Sequence, residues 1–153
     1  MKKLLPAICV MICFYLVGCI KDDTIVIEPQ QPVFVNKKWQ LTGMTMKIAN
    51  EPFSNRYDSL PSFRRDDYFL FNPDSTYELN DNKDTIPGKN SKILDAGTWI
   101  LDRTNTNLQM HSTVFNTTYT PAKIIQLNTT TLSLERTQTG DGSVTVTTYK
   151  ALN

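Results

Sequence analysis

General acid–base chemistry needs carboxylates or imidazoles that converge, and this 153-residue chain offers few candidates. Asp66 and Asp67 stand together behind Arg64 and Arg65. Two carboxylates facing each other across a cleft can divide the acid and base roles of glycoside hydrolysis. Adjacent residues of a strand point to opposite faces, so this pair is expected not to converge and reads as a charged strand entry. His111 is the only histidine. A zinc site needs several nitrogen or sulfur ligands at suitable spacing, and no second histidine exists to share one. No Gly-x-Ser-x-Gly turn presents a serine nucleophile. His111 therefore reads as a strand or rim residue. The expectation is a non-enzymatic chain with no catalytic residue, no metal ligand and no cofactor.

The cysteine chemistry is more telling. Leu16-Val17-Gly18-Cys19 ends an apolar run that starts behind Met1-Lys2-Lys3. The run from Leu4 to Val17 is shorter than the roughly 20 residues that span a bilayer. It has the length of a signal h-region behind a positive n-region. The pattern resembles a bacterial lipoprotein signal with its lipobox. The resemblance implies that residues 1–18 are removed and that Cys19 becomes a lipidated N-terminus. Ile20-Lys21-Asp22-Asp23 follows directly, and resembles the export tag of surface lipoproteins in Bacteroidota. The expected location is the outer membrane, lipid-anchored through palmitate and related chains, with the domain at the cell surface. Several acyl chains hold a protein to a bilayer far better than one.

Charge and cysteine content agree with this picture. The chain has 16 basic and 15 acidic residues; without Lys2 and Lys3 the balance is 14 against 15. Nucleic-acid binding needs a basic face, and none is expected. Cys9 and Cys13 fall within the predicted signal, so the mature chain has neither disulfide nor free thiol and must be held by its core.

Three short Asp-Ser/Thr motifs, Asp58-Ser59-Leu60, Asp74-Ser75-Thr76 and Asp84-Thr85-Ile86, resemble Bacteroidota O-glycosylation acceptors. All fall in expected loops or turns, where an Asp side chain also caps backbone on its own account.

The elements that must position these groups read as β. Residues 19–36, with Pro29 and Pro32, form a tether behind Cys19. The folded domain is expected over residues 37–153. Trp39 and Leu41 alternate with polar neighbours; the parity then changes at Gly43-Met44, as a β-bulge requires, and Met44 and Met46 continue the inner face. Residues 67–71 and 76–79 form a hairpin around Asn72-Pro73-Asp74-Ser75. Further strands fall at 94–101, 108–110, 122–127, 132–137 and 144–149, with a turn at Gly140-Asp141-Gly142. Residues 50–65 and 81–92 are long loops. No sustained helical period occurs, and about eight short strands favour a sandwich or a barrel. Trp39, Trp99, Tyr68, Tyr77 and Phe69 are either core or the lining of a cavity, and Met44 and Met46 are adaptable enough for both roles.

The order of motifs carries a resemblance. Trp39-Gln40-Leu41 is followed by Phe69-Leu70-Phe71-Asn72-Pro73-Asp74-Ser75-Thr76-Tyr77. Gly97-Thr98-Trp99, Ile124-Ile125-Gln126-Leu127, Leu132-Ser133-Leu134 and a strand bearing Tyr149 come next. This series is similar to the lipocalin-like lipoprotein domains of Bacteroidota, over about residues 37–152. The resemblance implies an all-β fold, a small up-and-down antiparallel barrel of about eight strands. It also implies a calyx for a small apolar or amphipathic ligand, with Trp39, Met44, Met46, Tyr68, Tyr77 and Trp99 as candidate lining. Lipocalins carry Gly-x-Trp on the first strand, whereas Lys37 stands two residues before Trp39 here. The competing expectation is an accessory subunit of an outer-membrane surface complex, recruited through the two long loops, with an envelope protein as partner and no small ligand.

Overall fold

The computed structural model describes residues 31–83 and 91–152. The predicted signal segment, Cys19 with residues 20–30 of the tether, and Thr85 lie outside the described residues.

The chain is all-β. Its strands are β1 (Lys38–Lys47), β2 (Ser54–Asn55), β3 (Tyr68–Phe71), β4 (Thr76–Asn80), β5 (Ile93–Leu101) and β6 (Asn107–Ser112). They continue with β7 (Thr117–Thr118), β8 (Ala122–Leu127), β9 (Thr131–Thr137) and β10 (Val144–Ala151). One short helix, α1 (Ser62–Arg65), interrupts the loop ahead of β3. The longer strands run in the order β10-β9-β8-β6-β5-β4-β3-β1, all antiparallel, and β1 pairs back onto β10. The sheet is therefore a closed, eight-stranded, up-and-down barrel, with β2 and β7 as short side pairings on β1 and β6. Closure matters because an open edge would leave a row of unpaired backbone groups.

Local chemistry makes the turns. At residues 72–75 the Asp74 carboxylate accepts from the Thr76 amide at 3.0 Å, and Ser75 takes φ +66°. At the next turn the Asp102 carboxylate accepts from the amides of Thr106 and Asn107. The side-chain bond from Asn107, then the Thr106 and Asn107 amides, hold its pKa well below the usual carboxylate range. Asn128 does the same work between β8 and β9. Gly142 turns the chain into β10 with φ +67°.

The parity change in β1 is a bulge. Leu41 pairs with Tyr149 and Gly43 with Thr148, which leaves Thr42 as the extra residue. Trp39 before the bulge and Met44 after it consequently both reach the interior. Glycine is not what creates it: a Cβ on Gly43 would meet Thr148 at an ordinary 3.6 Å.

One end of the barrel carries the short turns at 72–75, 102–106 and 128–130. It is plugged by the residues just before β1. Phe34 is wholly buried, with its ring 5.1 Å from both Phe71 and Trp99. The Trp39 indole N–H donates to the Phe34 carbonyl at 2.7 Å. Phe34 and Val35, in the stretch read from the sequence as tether, thus belong to the core. Pro32 and the charges before it read as a tether, but a lone aromatic finds its burial only when a barrel end is there to receive it. The longer connections 48–67, 113–121 and 138–143, with the described ends 81–83 and 91–92 of another, lie at the opposite, loop end.

Candidate functional site

A cavity of about 320 Å³ occupies the barrel interior. An eight-stranded barrel is just wide enough to be filled by side chains or to hold one small ligand. The volume here shows that the interior is not packed solid, and it sits at the low end of the roughly 300–1,000 Å³ of small-molecule sites. Strand register assigns depth. Trp39, Phe71 and Leu132 stand near the plugged end, and Phe69, Leu79, Met110, Leu134 and Tyr149 form the wall. Arg136, Gln138 and Thr145 stand at the loop end, since Arg136 pairs with Thr145 and Thr145 with Met46 near the close of β1.

The candidate lining residues from the sequence divide. Trp39 and Met44 line the cavity. Tyr77 and Trp99 are buried in the core that supports it, without lining it. Met46 does not line it either. Tyr68 is the clear departure: Phe69 and Phe71 take the inner face of β3, and Tyr68 packs outside with the Lys38 ammonium 5.0 Å from its ring centre. In the run Tyr68-Phe69-Leu70-Phe71 every residue is apolar or aromatic, so alternation alone carries no phase. Pairing of Trp39 with Phe69 sets it.

Asp95 escaped the sequence reading. It lies on β5, lines the cavity and is buried. One carboxylate oxygen accepts from the hydroxyls of Tyr77 and Tyr119, each at 2.8 Å. The other accepts from Ser112 Oγ at 2.5 Å and from the Ala96 amide at 2.9 Å. Burial, and then the bond to Asp95, pushes both tyrosines above the ordinary phenol range. A buried anion is tolerable where such donors replace water. The acidic part of the lining, towards the loop end, is thus a finished network.

His111 is on β6 and bonds Thr118 Oγ1 at 3.0 Å. It faces Thr98 in the β5–β6 ladder, away from the cavity. Ser59 and Ser75 are exposed, as a modifying enzyme would require, and Asp74 caps the backbone beside Ser75.

The acidic pair needs a correction. Asp66 and Asp67 do converge: with Asp81, they bring one carboxylate oxygen each within 4.8 Å of the others. Both precede β3, as the C-cap of α1 and the residue after it, so strand alternation does not separate them. Among the described residues this is the one acidic grouping compact enough for a metal ion. Arg64 stands 3.9 Å from Asp67. Burial first, opposed by Arg64 and reinforced by Asp81 and Asp66, raises the Asp67 pKa to about 6. A raised carboxylate pKa stabilises the fold below pH 4, and that contribution is lost as pH rises through 6. Asp67→Asn is therefore expected to stabilise the protein at pH 7 by about 2 kcal/mol and to leave it nearly unchanged at pH 4. Urea unfolding at the two pH values checks this; an equal effect at both would remove the burial argument.

No family model and no curated protein matches the chain. In structure the chain is similar to bovine odorant binding protein, solved in complex with a selenium-containing odorant, at 13% sequence identity and a TM-score of 0.42, over 82% of this chain and 76% of that one.

Proposed function

We propose that this protein is a lipid-anchored lipoprotein of the cell envelope. In this reading its lipocalin-like barrel binds a small apolar or amphipathic ligand without catalysis. The observation that carries the binding reading is the cavity with aromatic and aliphatic walls inside a closed barrel. Releasing water from such a surface favours an apolar guest by about 25 cal/mol per Å². The Asp95 carboxylate supports binding over reaction, because its hydrogen-bonding capacity is already used by protein donors. The anchor rests on the sequence around Cys19 and supports an outer-membrane location.

Binding is tested with the neutral dye Nile red and the full-length protein. Saturable fluorescence enhancement is expected. Thr147 lines the cavity, and Thr147→Phe is expected to weaken the dye by at least about tenfold while unfolding stays cooperative. Dye binding unaffected by filling the cavity would place the guest elsewhere and end the reading. The anchor is checked by palmitate labelling in a bacterial host, expected for the parent and lost in Cys19→Ala.

A further inference from the structure

The two charged side chains that line the cavity are unequal in what they still lack. Asp95 has four protein donors. Arg136, near the loop end, donates its Nε–H to the Thr120 carbonyl at 2.9 Å, and its guanidinium stands 5.8 Å from the Tyr119 ring centre. Its two terminal nitrogens have no hydrogen-bond or ion-pair partner among the described residues. The neighbouring acid on β9, Glu135, pairs with Lys123 and Val146 in the ladder and so takes the other face of the sheet. Gln138, Thr145 and Thr147, the remaining polar groups beside Arg136 in the lining, carry no charge. The cavity thus runs from Trp39 and Phe71 at its plugged end to a guanidinium that forms no ion pair among the described residues at the other.

We infer that the cavity takes an amphipathic carboxylate, its apolar body against Trp39 and Phe71 and its carboxylate on the terminal nitrogens of Arg136. This deepens the binding reading above and rests on it. A guanidinium whose Nε is fixed presents its terminal N–H groups as a planar fork, which matches the two oxygens of a carboxylate. A dianionic head would suffer more from Asp95 in the same low-dielectric space, which favours a monoanion. The ring of Tyr119 holds the guanidinium from one side by a cation–π contact.

Displacement of Nile red by decanoate and by 1-decanol, which share one chain length, separates the possibilities. With the parent protein at pH 8, decanoate is expected to compete at least about tenfold more strongly than decanol. Arg136→Met keeps the apolar stem and should erase that preference, read as the ratio of decanoate to decanol competition within the variant. Arg136→Lys keeps the charge without the fork and should fall between them, so one folded variant suffices for the comparison. Equal competition by acid and alcohol in the parent, or a preference that survives in Arg136→Met, overturns the carboxylate assignment and leaves the apolar cavity standing. Failure of the parent to bind Nile red at all overturns both.

Discussion

Asp95→Ala is expected to cost about 4 kcal/mol, a large share of the roughly 5–15 kcal/mol by which domains of this kind are stable. Alanine removes the acceptor from three hydroxyls and one amide at once. Tyr77 and Ser112 are buried, so neither can turn to water without moving a strand. Each stranded donor costs about 1–3 kcal/mol, and the cavity beside Asp95 lets water recover part of the total. Asp95→Asn should cost about half as much, because an amide keeps one acceptor oxygen and its NH₂ can donate to a hydroxyl that reverses its role. Chemical denaturation of both variants, with Tyr77→Phe as the partner in a double-mutant cycle, measures the coupling. A loss below about 1 kcal/mol for Asp95→Ala would mean that the network contributes little to the fold.

The second large effect belongs to Gly97. A Cβ built there would lie 1.9 Å from the His111 carbonyl oxygen and 2.9 Å from its carbonyl carbon. Both atoms belong to the β6 backbone, which is held to β5 by the ladder that pairs Gly97 with Ser112. A flexible side chain could swing aside, but a paired strand cannot. Gly97→Ala is therefore expected to destabilise by about 3 kcal/mol or more, through overpacking that only separation of the two strands relieves. Gly140→Ala is the control, with nothing within 4 Å of the added methyl; it should stay within about 0.5 kcal/mol. Thermal unfolding of the pair gives the answer, and similar midpoints would show that the β5–β6 approach is looser than its geometry.

Both residues show where sequence reading runs short. Gly97 was visible as part of Gly97-Thr98-Trp99, yet its necessity comes from the carbonyl of His111, 14 positions further on. The partners of Asp95 lie 17, 18 and 24 residues away. One Asp between Leu94 and Ala96 in a strand reads as an ordinary polar interruption. Arg136 is equally silent in sequence, because what distinguishes it is a pair of terminal nitrogens left without a bonding partner among the described residues. Strand alternation separates Asp66 from Asp67, but both precede the strand, and Asp81 arrives from the far side of a hairpin.

What the sequence determined by itself is local. Alternating apolar and β-branched residues set the strands, Asn, Asp and Gly set the turns, and the shift in parity at Gly43 set the bulge, since each depends on neighbours within a few positions. The same local reading supplies the expectation for Cys19. The tertiary structure alone decided that the sheet closes, that Phe34 plugs one end, that Phe69 rather than Tyr68 faces inward, and that Asp95 and Arg136 share a cavity. These are facts of register and closure: pairing β1 with β10 brings together residues about 100 positions apart, and no short-range pattern encodes that distance.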